Sequence, residues 1–338
     1  MKKTDYFSLK FENDKLIFLD QTKLPLEEVY VETDNYERIA EAIEKLEVRG
    51  APLIGVCAAY GLALSIKNTS NAVRDSTFNY AFNRLFQTRP TAVNLFSALN
   101  DIKSVYETGK NLTNIYSVLI SRAEQLHKDD AEYCRKIGQN GLRIFRKKST
   151  ILTHCNTGKL ATAGDGTAFS VIKAGFEKGL VSYVYADETR PLFQGLRLTS
   201  FELAHNGIPF SVLSDSMAAT LMKDKKIDFV ITGADRIALN GDSANKIGTY
   251  NLAVLCNFHD IPFYIAAPTT TIDRKIPSGE EINIEFRNKN EILAVSGLQI
   301  APNSYEAYTP AFDVTPAHLI RGIITEEDVF TFPYNFMK

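Results

Sequence analysis

A lone cysteine, Cys155, closes the apolar run "TILTH" and opens the polar stretch Cys155-Asn156-Thr157-Gly158. Four further apolar runs end the same way. "VSYVYA" is followed by "DETRPLFQG", and "PFSVLS" by Asp215-Ser216. "DFVITG" is followed by "ADRIALNGDSANK", and "PFYIAA" by "PTTTID". Among the residues of these loops are a thiol (Cys155), the carboxyls Asp187, Asp215 and Asp235, able to give or take protons, and the cations Arg190, Arg236 and Lys246, suited to an anion. A thiol near a helix N-terminus is drawn toward thiolate, and a partly buried carboxyl toward the protonated acid near neutral pH. The available chemistry is therefore acid-base or nucleophilic work on an anionic substrate.

Positioning such groups requires a scaffold that gathers strand ends. The five runs are separated by helical stretches of about a dozen residues, the pattern of a parallel sheet covered on both faces. In such sheets ligands bind beyond the C-terminal strand ends, where helix N-termini at the Gly158–Gly166 bend and near Asn245-Lys246 are expected to offer amide donors. Upstream, "YFSLKFE" and "KLIFLDQT" alternate as short strands about a turn at Asn13-Asp14. From Tyr36 to about Lys147 apolar residues recur at three- and four-residue steps, the mark of helices. The expectation is an α/β protein: a smaller, mainly helical N-terminal domain over residues 1–147, and a Rossmann-like α/β domain over 148–338. A helix is expected to begin at Thr315-Pro316.

Composition excludes several classes. The 45% hydrophobic and 23% charged content is that of a soluble globular chain, and a net charge of −2 gives nucleic acid or anionic membrane no purchase. "MKKTDYFSLKF" has no apolar core of a secretory signal, and "APLIGVCAAYGLALSI" is shorter than the ~20 residues of a membrane span. Four cysteines without a CxxC pair argue against zinc and disulfides and for a reducing cytoplasm. Cys57, Cys134 and Cys256 lie in helical patterns and are read as packing; His154 and His318 are read as structural, with no second ligand at metal spacing. "GKLATAGDG" matches neither the dinucleotide nor the P-loop fingerprint, so no cofactor and no metal are expected. Asp187, at the second strand end, alone keeps a nicotinamide reading open.

Longer motifs carry a resemblance. "RGAPLIGVCAAYGLAL", "TRPTAVNLFSAL", "LTHCNTGKLATAG", "ADETRPLFQGLRLTSFEL", "GADRIALNGDSANKIGTY" and "FDVTPAHLI" are together similar to the methylthioribose-1-phosphate isomerases of methionine salvage. That group belongs to a wider family with the regulatory subunits of translation initiation factor 2B and ribose-1,5-bisphosphate isomerase. The likeness runs from "LDQTKLP" to "ITEEDVF", nearly the whole chain. It implies Cys155 and Asp235 as catalytic residues, and Arg49, Gly50, Ala51, Arg89, Gln194, Asn245 and Lys246 as substrate contacts. It further implies a cytoplasmic homodimer acting on a small sugar phosphate, without cofactor, metal, nucleic acid or membrane. Asp165, where the family often has an apolar or aromatic residue, and Ser216, for a more usual Asn, are departures that bear on the sugar's 5-substituent. 5-Deoxyribose 1-phosphate, ribose 1,5-bisphosphate, and a non-catalytic regulatory subunit stay open as alternatives.

Overall fold

The structure is a computed structural model, described here over residues 6–89, 92–295 and 297–336. Residues 1–5, with the leading lysines, and Pro90-Thr91 of the Arg89 motif lie outside the described residues. The chain forms two compact units, residues 1–135 with 157–166, and residues 136–156 with 167–338.

The first unit begins with a three-stranded antiparallel sheet, Leu9–Glu12, Lys15–Leu19 and Tyr30–Thr33. Its hairpin turns at Asn13-Asp14, both left-handed (φ 52° and 57°), as the twist of a two-residue hairpin demands. Helices follow at Tyr36–Glu44, Ala51–Leu64, Arg74–Phe86, Val93–Gly109 and Ile115–Gly141, the last running on into the second unit's residues. Asn35 caps the first of these by accepting the Glu37 N–H. In Ala51–Leu64 every residue but Pro52 is buried, which explains its unbroken apolar sequence. Gly55 lets that helix approach Val93–Gly109 closely, since a Cβ there would lie 2.8 Å from the Asn94 carbonyl oxygen. The loop 157–166 packs on this unit: Leu160 O accepts from Gln21 Nε2 and Ala163 N–H donates to Asp130.

The second unit is built on a seven-stranded sheet. Its spatial order is Val329–Phe330, Gly322–Ile324, Phe263–Ala266, Phe229–Thr232, Ser149–Thr153, Val181–Asp187, Phe210–Leu213. All neighbours are parallel except the edge strand Val329–Phe330. The protein is thus α/β with a parallel sheet, and all five expected strands are present. Numbered along the chain, those five lie in the order 5-4-1-2-3, so the chain's direction of travel reverses between the first and the fourth. A smaller antiparallel sheet joins Phe312–Thr315, Ser243–Lys246 and Arg236–Ile237.

Three local expectations are corrected. Asn245 and Lys246 end a strand rather than head a helix, and the helix starts at Thr249 after left-handed Gly248. Between Gly158 and Gly166 there is a single 3₁₀ turn, Lys159–Ala161, and the helix waits until Ala168. Thr315 is the last residue of a strand paired with Ser243, so the chain after Pro316 makes one 3₁₀ turn, Ala317–Leu319, before the strand Gly322–Ile324 begins. In each place β pairing engages residues that local pattern alone would give to a helix. Among the described residues no helix is long and apolar enough to cross a membrane.

Candidate active site

The reversal point of the sheet lies between Ser149–Thr153 and Phe229–Thr232, which pair in the register Thr153 to Ile231. Adjacent strands run about 4.8 Å apart, and the crevice beyond a reversal point is where open α/β sheets hold ligands. Cys155 lies two residues past the first strand and Asp235 three past the second. Thr153 Oγ1 donates to the Ile231 carbonyl at 2.8 Å and ties the two ends together.

Cys155 sits in the left-handed region (φ 59°), which costs a non-glycine residue about 1 kcal/mol or more. Two threonines hold it there. The Cys155 N–H donates to Thr189 Oγ1 at 2.8 Å, and Thr199 Oγ1 donates to the Cys155 carbonyl at 2.5 Å. Thr189 (φ 64°) and Phe193 (φ 57°) are left-handed too, so three of the eight non-glycine residues with positive φ among the described residues lie at these loops. Asn156, next along, donates from Nδ2 to the buried Glu202 carboxylate at 2.7 Å.

Lys246 draws the site together. It is 6% exposed, and burial pushes its ammonium below the ordinary lysine value. The charges of Cys155, Glu291 and Asp235 act against that fall, while Arg287 adds to it. Thiol and carboxyl therefore both lie within electrostatic reach of one buried cation. Asp235 is half-buried, and its N–H donates to the Ala244 carbonyl at 2.9 Å. Asn245 Nδ2 donates to Thr249 Oγ1 at 2.9 Å, which donates in turn to the Lys246 carbonyl at 2.7 Å. Beside Lys246 opens a cavity of about 290 Å³ lined by Arg190, Asp215, Ile247, Glu291, Ile292 and Tyr308 among others. Gln194, 6% exposed, leads into a π-helical turn, Gly195–Thr199; its Oε1 meets no hydrogen-bond partner among the described residues. Such turns are frequent at functional sites.

The remaining sequence-derived residues lie in the first unit. Arg49 is buried and donates from Nε to Gln21 Oε1 at 3.1 Å. Gly50 precedes Ala51–Leu64 with φ 95°, pressed so close to Ala161 that a Cβ would lie 2.5 Å from its Cα and carbonyl oxygen. Ala51 begins that helix, and Arg89 follows the helix Arg74–Phe86.

Sequence reasoning read His154 as structural but missed its pairing with Asp187, and it missed the threonines that hold Cys155. Asp187 is engaged by His154, whose Nδ1 lies 3.0 Å from Asp187 Oδ2, rather than waiting for a ribose. His154, Asp187 and Asp215 bring ligand-type atoms within 4.8 Å of one another. Both His154 nitrogens face acceptors, and Asp215 accepts the N–H groups of Thr189 and Arg190 at 2.8 Å each, while Asp187 Oδ1 is buried and meets no hydrogen-bond partner among the described residues. The only signal in the sequence was that His154 directly precedes Cys155.

Residues 47–331 match the Initiation factor 2 subunit family. A methylthioribose-1-phosphate isomerase of Caldicellulosiruptor saccharolyticus is 51% identical over 96% of both chains. The chain belongs to this family, among the methylthioribose-1-phosphate isomerases. The crystal structure of 5-methylthioribose 1-phosphate isomerase from Pyrococcus horikoshii OT3 is 39% identical, covering 98% of this chain and 94% of that one, with a TM-score of 0.92. A second crystal structure, described as the delta subunit of translation initiation factor eIF-2B from A. fulgidus, is 38% identical with a TM-score of 0.86, covering 98% and 97%.

Proposed function

We propose that the chain is an aldose–ketose isomerase converting 5-methylthioribose 1-phosphate to 5-methylthioribulose 1-phosphate in methionine salvage. The observation that carries this is the convergence of Cys155 and Asp235 on Lys246 at the sheet's reversal point, in a chain half identical to isomerases of that name. The second unit then acts as a Rossmann-like catalytic domain and the first as a smaller, mainly helical one. The active form is a cytoplasmic homodimer.

The substrate's C1 hydroxyl carries phosphate, so the ring cannot open to a free aldehyde. Opening needs a proton on the ring oxygen, and Asp235 is the acid that supplies it. C1 becomes electrophilic, and hydrogen moves to it from C2. Cys155 either removes the C2 proton as a base, through an enol that it then protonates at C1, or stabilises the polarised centre while hydride passes directly; on both routes the C2 hydroxyl proton leaves as the ketone forms and restores Asp235, and shielding from water favours the second. Lys246, a desolvated cation within electrostatic reach of both groups, favours negative charge developing on oxygen beside it. Gln194 Oε1 accepts from a substrate hydroxyl, and Asn245 and Lys246 bind the sugar phosphate. Arg49, Gly50, Ala51 and Arg89 are assigned to the phosphate and sugar by motif.

Cys155→Ala and Asp235→Asn should each abolish turnover of 5-methylthioribose 1-phosphate while substrate still binds by calorimetry. Near-normal turnover in either variant would refute the assignment. In deuterated water, label at C1 identifies proton transfer, and its absence is consistent with a hydride shift. The likeness to the eIF-2B delta subunit structure favours a second reading, a non-catalytic regulatory subunit. That reading requires a wild-type chain inactive on 5-methylthioribose 1-phosphate, 5-deoxyribose 1-phosphate and ribose 1,5-bisphosphate alike.

A further inference from the structure

His154 is 1% exposed and sits between two acceptors, Asp187 Oδ2 at 3.0 Å from Nδ1 and the Ile247 carbonyl at 2.8 Å from Nε2. A neutral imidazole has one N–H and can serve only one of them. The histidine–aspartate pair must therefore hold two protons, one on Nε2 for Ile247 and one shared between Nδ1 and the carboxyl. Without the shared proton, a ring lone pair would face a carboxylate in a water-free interior, which is costly.

Acids surround the ring. Asp187 ends the strand Val181–Asp187, Asp215 follows Phe210–Leu213, and Asp313 lies on Phe312–Thr315. Asp187 and Asp215 favour the charged imidazole, whose charge acts in return on Asp313. Burial alone would lower the His154 pKa, but the Asp187 hydrogen bond and charge, the Asp215 charge and the Ile247 carbonyl outweigh it and raise it. Burial pushes the Asp187 carboxyl up to about 6, with His154 opposing. Both shifts keep the shared proton in the pair near neutral pH.

The held carbonyl belongs to the residue after Lys246. On the other side of it, Asp313 accepts the N–H groups of Gly248 at 2.8 Å and Tyr250 at 3.0 Å. The turn Lys246-Ile247-Gly248 is thus clamped by His154 through its carbonyl and by Asp313 through its amides. His154 is itself covalently next to Cys155. One ring therefore links the backbone that carries the thiol to the backbone that carries the buried ammonium.

We propose that His154 and Asp187 are positioning residues, a doubly tethered ring that fixes Lys246 relative to Cys155 without touching substrate. This rests on the isomerase reading above. Displacing a catalytic group by about 1 Å costs on the order of 100-fold in rate. The double variant His154→Phe/Asp187→Leu removes both tethers and the buried charge while keeping the volume filled. It leaves the Ile247 carbonyl without its donor, so it should fold with some loss of thermal stability, bind substrate with KM little changed, and lose about 100-fold in kcat at a temperature where it is fully folded. A purely structural role predicts that kcat recovers along with stability; wild-type kcat in a stable double variant overturns the proposal. Asp187→Asn can donate its amide to Nδ1 and leave the Nε2 proton on Ile247, so it should keep kcat within about 10-fold.

Nitrogen-15 NMR of the histidine-labelled full chain, assigned by loss of signal in His154→Gln, supplies an arm independent of activity. His154 Nε2 should keep its proton from about pH 6 to about pH 8, across the range where an ordinary histidine titrates. An unprotonated Nε2 at neutral pH overturns the proposal even if turnover is normal. A wild-type chain with no turnover defeats the isomerase reading instead, and leaves the nitrogen result to stand alone.

Discussion

Gly248 and Gly179 both take a backbone conformation that side chains rarely adopt, with φ +103° and +72°, yet their surroundings differ completely. A Cβ on Gly179, just past the helix Ala168–Glu177, meets nothing within 4 Å. A Cβ on Gly248 would lie 2.8 Å from His154 Cε1 and 3.0 Å from Nε2. Gly179→Ala should therefore cost only the conformational term, about 1 kcal/mol. Gly248→Ala carries that same term and must also push the ring away. Reaching ordinary carbon contact at about 3.5 Å requires a shift of about 0.7 Å. The ring cannot move so far without stretching its bond to Asp187 or to Ile247, and a bond to a charged group contributes about 1.5–3 kcal/mol. The total for Gly248→Ala is about 3–4 kcal/mol. At about 2–4 °C per kcal/mol, the melting temperature should fall by about 2–4 °C for Gly179→Ala and by roughly 10 °C for Gly248→Ala. Calorimetry of the two variants side by side measures the difference. Turnover should be unchanged in Gly179→Ala and reduced about 10-fold or more in Gly248→Ala, because the turn bearing Lys246 moves with the ring. Equal thermal shifts, or a fully active Gly248→Ala, would show that the ring is not held as described.

Lys246→Met should raise thermal stability while abolishing turnover, since burial lowers the lysine's pKa and its charged form is a cost of folding. The sign follows from linkage: with the folded value below the unfolded one, the wild-type chain gains stability as pH rises through the folded value toward about 10.4, and the variant lacks that gain. Denaturant midpoints measured across alkaline pH test this, and a destabilised Lys246→Met contradicts it. Burial drives the Cys57 thiol up to about 12 and raises Cys134 and Cys256 as well, so iodoacetamide at about pH 8 should leave all three unmodified in the folded chain. Mass spectrometry reads the sites, and rapid native labelling at any of the three would remove them from the core.

Element types were open to reading because they follow from local pattern. The alternation about Asn13-Asp14, the three- and four-residue steps of the helices, and the apolar strands Ser149–Thr153 to Phe263–Ala266 each record which side of a segment meets the core. The misreadings share one cause. Asn245-Lys246 and Thr315 look like helix starts in isolation, but Ser243–Lys246 and Phe312–Thr315 pair with each other, and a partner some seventy residues away leaves no trace in a local window. The candidate residues were legible as types at strand ends; which strand ends are neighbours was not.

By itself, the sequence determined the α/β class, the polar rim at five strand ends, and the family to which the long motifs belong. Tertiary structure alone decided that the first and fourth strands are adjacent, bringing Cys155 and Asp235 within electrostatic reach of one buried lysine, 91 residues along the chain from the thiol and 11 from the carboxyl. It also decided that His154, unremarkable in sequence, meets both the Asp187 carboxylate and the Ile247 carbonyl. The physical reason is that periodicity encodes burial, a property of one segment, whereas catalytic geometry depends on distances between segments, which are set only when the sheet closes its order and the core packs around it.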